Sequence, residues 1–98
     1  MEKNIVKENE KLKVEVKGRI DTNTAPELET VLPELDGIKE LIVDLKEVDY
    51  ISSSGLRVLI AMFNTMEEQG TMKIINVCDI VMDIFEATGL NEIFDLSE

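Results

Sequence analysis

Histidine is absent from the 98-residue sequence, and so is tryptophan. Without histidine, Ser-His-Asp and Cys-His catalytic sites lack their base, and most transition-metal sites lack their commonest ligand. A lysine could replace the base, but no Ser-x-x-Lys spacing occurs around the serines at positions 52–54. Gly55, which follows them, stands alone and does not form a glycine-rich phosphate loop. We therefore expect no enzymatic activity, no metal site and no bound cofactor.

Cysteine is also scarce, since Cys78 is the only one and cannot form an internal disulfide. It follows an apolar stretch, and we interpret it as a small packed residue rather than a reactive thiol. From residues 1–4 we expect no signal peptide, and no apolar run approaches the roughly 18 residues of a membrane span. These features favour a reducing, cytoplasmic environment.

Basic residues are few, with 10 Lys and Arg against 21 Asp and Glu, and the formal net charge is −11. Nucleic acids and anionic membranes are bound through basic surfaces, so we expect neither as a direct partner. A basic protein partner remains compatible with this charge. The hydrophobic content of 44% indicates a folded chain, and the length predicts a single domain over residues 1–98.

The hydrophobic period changes along the chain, which is typical of an α/β (α+β) domain. Alternation from Leu12 to Ile20 predicts a strand with one buried face, joined to an earlier strand at Ile5-Val6 by a turn at 8–10. The nearly continuous apolar run Leu41 to Leu45 predicts a central, parallel strand. Met72 to Val77 predicts a further strand.

Three segments have helical spacing, and each has candidate end signals. Thr22, Asn23 or Thr24 could cap the first helix, which we expect to end or kink near Pro33. Gly70 is predicted to end the second helix. The repeating apolar positions are Ala25, Leu28, Val31, Leu32 and Leu35, then Leu56, Leu59, Ile60, Phe63 and Met66, then Ile80, Ile84 and Phe85.

The third helix is predicted to be capped by Asp79 and ended by Gly89, after which Leu90, Ile93, Phe94 and Leu96 fold back onto the core. The predicted order is β-β-α-β-α-β-α, with a short final strand left open. This is a mixed four- to five-stranded sheet with helices packed against it, and right-handed crossovers place the later strands in parallel.

The stretch Ile51 to Leu56 joins the central strand to the second helix and contains Ser52, Ser53 and Ser54. At least one serine is predicted to cap the helix. The first N–H groups of a helix are unpaired. They would stabilise a phosphoryl group added at an exposed position there by about 0.3–1 kcal/mol. A polar turn with a capping role alone would explain the same three serines.

Several carboxylates could approach the ends of strands, but their spacing does not match a calcium loop. We interpret them as a solvated acidic surface. Asp21 differs in position, because it ends the second strand just before the first helix. The others are Asp44, Asp49, Asp79 and Asp83.

Five short motifs in this order make the chain resemble the anti-sigma-factor antagonists of the STAS family, which is named for sulphate transporters and anti-sigma antagonists. The resemblance covers nearly the whole chain. The motifs are Gly18-Arg19-Ile20-Asp21, Thr24-Ala25, Leu41-Ile42-Val43-Asp44-Leu45, Ile51-Ser52-Ser53-Ser54-Gly55-Leu56 and Ala87-Thr88-Gly89-Leu90.

The resemblance implies a STAS-like protein without catalysis of its own. In the family, the unphosphorylated antagonist binds an anti-sigma factor that is also a serine kinase, which frees the sigma factor. The kinase then phosphorylates and ejects the antagonist, and a phosphatase, of the PP2C type, restores it. The family's acceptor serine follows an Asp in Asp-Ser-Ser/Thr-Gly-Leu. Aligned through Gly55, the acceptor is Ser53, and Ser52 stands in place of the Asp.

The resemblance also implies a partner-binding surface around Ser53. We assign to it Asp21, Thr22, Asn23, Ser52, Ser54, Gly55 and Arg57. Two other functions stay open. A STAS module that binds partners without a phosphorylation cycle shares the same fold. An acyl carrier protein is also small and acidic with a modified serine, but it is all helical, and the strand patterns argue against it.

Overall fold

The computed structural model describes residues 1–97, and within them five strands and three α-helices follow the predicted order, with the short final strand present. The strands are β1 (Glu2–Glu8), β2 (Lys11–Lys17), β3 (Glu40–Glu47), β4 (Thr71–Ile75) and β5 (Asp95–Ser97). The helices are α1 (Ala25–Glu29), α2 (Ser53–Gln69) and α3 (Asp79–Thr88), and 3-10 turns span Leu32–Leu35 and Leu90–Glu92.

The strands form one mixed sheet in the order β1-β2-β3-β4-β5. β1 is antiparallel to β2, while β2, β3, β4 and β5 are mutually parallel. The predictions of a central strand at Leu41–Leu45 and of an opening hairpin are therefore confirmed. Each connection between parallel strands leads to the adjacent strand, always in the same direction across the sheet. Right-handed crossovers therefore place all three helices on one face of the sheet. The carboxyl ends of β2, β3 and β4 meet at one edge of the sheet, here named the carboxyl edge.

The core lies between the sheet and the helices. Leu12, Val14 and Val16 are buried, as their alternation predicts. On α2 the buried side chains are Leu56, Val58, Leu59, Met62 and Met66. The predicted core positions Ile60 and Phe63 are only half-buried, because they lie at the flank of the face that meets the sheet.

Several predicted element boundaries are wrong. Regular pairing of β2 ends at Lys17 after an irregularity in register, and Ile20 rejoins the sheet as an isolated bridge to Ile51. α1 ends at Glu29, and the apolar positions beyond it continue in the 3-10 turn that contains Pro33. The expected end or kink near Pro33 is thus confirmed.

The segment after α3 folds back onto the core, with one exception. Leu90 and Phe94 are buried, and the Phe94 ring packs edge-on against Phe63 and Phe85 at centroid distances of 5.8 and 5.6 Å. Ile93 was expected in the core but is 52% exposed, because the 3-10 turn directs Phe94 inward instead. Gly89 ends α3 in the left-handed conformation, with φ of 77°, as predicted. Across residues 1–97, no helix combines the length and apolar character that crossing a bilayer requires.

Candidate functional site

A parallel bridge between Ile20 and Ile51 brings two loops of the carboxyl edge together. The Ile20 N–H donates to the Tyr50 carbonyl at 3.0 Å, and the Ser52 N–H donates to the Ile20 carbonyl at 2.8 Å. Asp21 follows one side of this bridge, and the three serines follow the other. The bridge therefore places the Asp21 loop beside the start of α2.

Gly55 allows α2 to begin close against the bridge. A Cβ atom at this position would lie 2.5 Å from Ile20 Cγ2 and 2.8 Å from Ile51 Cγ1. Both isoleucines are buried and β-branched, so their methyl groups have little room to move. Among the predicted partner-binding residues, Gly55 is buried. Its lack of a side chain determines how close the serines lie to Asp21.

The three serines have different surroundings. Ser52 is the N-cap of α2, and its Oγ accepts a hydrogen bond from the Gly55 N–H at 3.3 Å, which confirms the predicted serine cap. Ser54 is half-buried, and its Oγ lies 3.4 Å from Thr22 Oγ1. Ser53 is the first residue of α2 and is exposed.

Asp21 organises the loop that precedes α1. Its Oδ1 accepts hydrogen bonds from the N–H groups of Asn23 and Thr24, at 2.9 and 3.1 Å. Thr24 occupies the N-cap position, but its hydroxyl makes no capping bond to the helix and donates to the Arg19 carbonyl at 2.9 Å. The prediction that the side chain of Thr22, Asn23 or Thr24 caps the first helix is therefore wrong. The carboxylate of Asp21 binds the N–H groups of this loop instead.

Hydrogen bonding and charge hold Asp21 in its ionised form. Desolvation is the largest single influence and raises its pKa, but the hydrogen bonds from Thr24 and Asn23 and the charge of Arg19 outweigh it. The pKa of Asp21 therefore lies below its ordinary value. At neutral pH this edge of the molecule has a fixed negative charge.

Arg19 and Tyr50 belong to the same cluster, although the sequence analysis assigned them no role. The Arg19 guanidinium lies 4.2 Å from the centroid of the Tyr50 ring, and its Nε lies 3.4 Å from Asp21 Oδ2. The sequence contains only part of the information that would have identified these two residues. Arg19 and Asp21 are two residues apart in an extended segment, but the contact with Tyr50 depends on the Ile20–Ile51 bridge.

A shallow groove of about 270 Å³ separates α1 from the first turns of α2. Thr22, Ser54 and Arg57, all predicted partner-binding residues, line it together. Asn23 is exposed in the adjoining loop. Asn64, two turns further along α2, is exposed but does not line this groove.

Asp44 and Cys78, near the same edge, have structural partners. Asp44 is 8% exposed and accepts hydrogen bonds from the Lys46 N–H and from Asn76 Nδ2, at 2.9 and 3.1 Å. Cys78, not Asp79, is the N-cap residue of α3, and its thiol donates to the Val48 carbonyl at 3.3 Å. In the part of the chain that the structure describes, no three His, Cys, Asp or Glu side chains are grouped to hold a metal ion.

Comparison with known proteins gives consistent matches. The STAS domain family model matches residues 2–98. The anti-sigma-B factor antagonist of Bacillus subtilis is 36% identical over 95 residues, covering 94% of this chain and 87% of the relative. The crystal structure of an anti-sigma factor antagonist from Mycobacterium paratuberculosis superimposes with a TM-score of 0.86 at 26% identity, covering 97% of this chain and 83% of that chain. The anti-sigma factor antagonist SpoIIAA, in its unphosphorylated form, shares the fold, with a TM-score of 0.84 at 14% identity over 99% of this chain and 89% of its own.

Proposed function

The chain belongs to the STAS domain family, and we propose that it is an anti-sigma-factor antagonist switched by phosphorylation of Ser53. Unmodified, it binds an anti-sigma factor that is also a serine kinase and so releases the sigma factor. Phosphorylated, it leaves that partner until a PP2C-type phosphatase restores it. In this proposal residues 1–98 act as one unit in the cytoplasm, and the protein is a substrate and ligand rather than an enzyme.

The observation that carries the choice of Ser53 is the different state of the three hydroxyls. Ser52 is engaged in the helix cap, and Ser54 is within hydrogen-bonding distance of Thr22. Within residues 1–97, the hydroxyl of Ser53 has no such partner, and its side chain is exposed. A kinase can therefore reach Ser53 without breaking an existing contact.

The start of α2 also suits the product. In the transfer, the Ser53 oxygen forms a bond to the γ-phosphorus of ATP, the bond to ADP breaks, and the hydroxyl proton leaves to the kinase or solvent. The N–H groups of Ser53 and Ser54 lie in the first turn, where no earlier turn supplies acceptors. They and the helix dipole favour the added phosphate by about 0.3–1 kcal/mol at an exposed site. We therefore expect the fold to survive phosphorylation.

The charge distribution indicates what the partner presents. The α-helices and 3-10 turns contain nine acidic residues and one basic residue, Arg57, whereas the five strands contain seven of each. The acidic residues on the helical side are Glu27, Glu29, Glu34, Glu67, Glu68, Asp79, Asp83, Glu86 and Glu92. A partner with Lys or Arg facing this side would be attracted. Because a phosphate at Ser53 adds about −1.5 to −2 charges to an already acidic surface, it weakens that contact by its bulk rather than by repelling the partner's basic residues.

The proposed contact surface surrounds Ser53. Asp21 supplies a fixed negative charge, and Thr22 and Asn23 follow it in the same loop. Ser52, Ser54 and the buried Gly55 form the cap and first turn of α2, with Arg57 on the adjoining turn. Because these charges lie at the surface, association with the partner should slow as salt rises. An association rate that does not respond to salt would contradict the electrostatic part of this proposal.

The experiment that tests the function combines the protein with candidate anti-sigma kinases and ATP and locates phosphate by mass spectrometry. We expect phosphate on Ser53, and we expect Ser53→Ala to stay bound to the kinase when ATP is added. Ser52→Ala and Ser54→Ala are the matched controls and should still be phosphorylated, with Ser52→Ala losing about 1 kcal/mol of stability with its cap. Phosphate on Ser52 or Ser54 of the wild-type protein would overturn the choice of Ser53.

A second candidate function is a STAS module that binds its partner without being phosphorylated. The replacement of the family's Asp by Ser52 favours it, because Ser52 brings no charge to the acceptor and its hydroxyl already caps α2. Stable binding to an active kinase in the presence of ATP, with no phosphate on any serine, would support this second function.

A further inference from the structure

Arg57 is an unpaired cation on the second turn of α2. Its side chain is exposed, and within residues 1–97 it forms no ion pair or hydrogen bond. It is also the only charged residue between Ile51 and Met66. Glu29 lines the same groove but makes no ion pair with it. By contrast, the other arginine, Arg19, is engaged with Asp21 and Tyr50.

The position of Arg57 relates it to the proposed acceptor. Ser53 and Arg57 are four residues apart on one helix, and side chains at this spacing are neighbours on the helix surface. Side chains of an α-helix lean towards its N-terminus, so the long arm of Arg57 can reach the turn that contains Ser53. No acidic side chain on α2 competes for it before Glu67.

We infer that Arg57 is the counter-ion of phosphorylated Ser53. This inference rests on the proposed function, because it takes Ser53 as the acceptor. The planar guanidinium donates two parallel hydrogen bonds to phosphate oxygens, a geometry that a lysine does not offer. In the phosphorylated protein Arg57 and the N–H groups at the start of α2 hold the phosphate from two sides. The same pairing withdraws Arg57 from the partner surface, so phosphorylation removes one contact while it adds charge.

The test uses protein in which phosphoserine is incorporated at position 53 by genetic code expansion, so that no kinase is needed. Phosphorus NMR then measures the second pKa of the phosphate in the otherwise wild-type chain and in Arg57→Gln. A pairing with Arg57 stabilises the dianion, so its removal should raise that pKa by about 0.4 units, the shift that corresponds to about 0.5 kcal/mol for a helical ion pair. Arg19→Gln is the matched control, because it removes an equal charge from a side chain that already has partners.

A second signal identifies the contact directly. The side-chain Nε–H resonance of Arg57 should shift when phosphoserine replaces Ser53, and Arg57→Lys should restore only part of the pKa change. A phosphate pKa that does not change in Arg57→Gln, or that responds as strongly to Arg19→Gln, overturns the inference. Failure of the proposed function has a different signature, because a kinase that ignores Ser53 leaves these spectra unchanged.

Discussion

The two ends of helix α2 are fixed in different ways. At its carboxyl end, Gln69 Nε2 donates to the carbonyls of Leu35 and Ile38 at 2.6 and 2.7 Å, and the Thr71 N–H donates to the Lys39 carbonyl at 2.9 Å. Gly70 lies so close to the Lys39 carbonyl that a Cβ atom would overlap it. At its amino end, the hydroxyl of Ser53 has no partner among residues 1–97. The carboxyl end of α2 therefore stabilises the fold, whereas the amino end leaves polar groups available for function.

Gly70→Ala should be the most damaging change at the carboxyl end of α2. The added methyl group meets the Lys39 backbone, which cannot turn aside as a side chain can, and we expect a loss of about 3 kcal/mol in the free energy of unfolding. Gly55→Ala at the amino end meets the side chains of Ile20 and Ile51, so it should cost less stability but move the serines and weaken partner binding. Urea unfolding and binding measured on both variants check this. Equal binding defects in the two variants would remove the distinction between the ends.

Gln69→Ala tests the same end more mildly. It removes hydrogen bonds to two backbone carbonyls, and we expect a loss of about 2 kcal/mol with partner binding of the folded protein unchanged. Glu68→Ala, at the exposed neighbouring position, is the matched control and should stay within about 0.5 kcal/mol of wild type. If Gln69→Ala weakened partner binding more than stability, the carboxyl end of α2 would belong to the functional surface after all.

Asp21→Asn tests the amino end, where we expect a smaller loss of stability than in Gln69→Ala but weaker partner binding. Because the folded-state pKa of Asp21 lies below its unfolded value of about 3.9, its ionised form stabilises the fold above that pH. This contribution is lost as the pH falls through the lowered pKa, so wild type should lose more stability than Asp21→Asn between about pH 5 and pH 2. Urea unfolding across that range measures it, with Asp36→Asn as the control. Parallel pH profiles of wild type and Asp21→Asn would contradict this assignment.

The order of elements was predictable from the sequence because strand and helix periods alternate clearly. Leu41 to Leu45 is too continuous for a half-exposed strand, and its place at the centre of the sheet follows. Ser52 as a cap and Gly89 as a helix end have local causes, which the sequence contains in full. The proximity of Asp21 to the serine turn came from the family resemblance, and the Ile20–Ile51 bridge now gives its physical basis.

The features that were missed depend on choices between similar local options. Residues 56–63 of α2 are apolar almost all round, apart from Arg57, so the sequence could not decide that Met62 rather than Ile60 or Phe63 would meet the sheet. Asp21, Thr22, Asn23 and Thr24 can all bind a free N–H group, and only the chain path after the bridge selects Asp21. Similarly, only one of the adjacent residues Ile93 and Phe94 faces the core, and it is Phe94, which has the larger side chain.

The most direct test of the account is the affinity of one preparation for its anti-sigma partner before and after phosphate is placed on Ser53. Calorimetry at constant salt, with the sigma factor absent, gives both dissociation constants. We predict that the phosphate weakens binding by at least about tenfold, which is roughly 1.4 kcal/mol, while circular dichroism shows the same fold. Equal affinities for the two forms, in a protein shown to carry phosphate at Ser53, would contradict the switch.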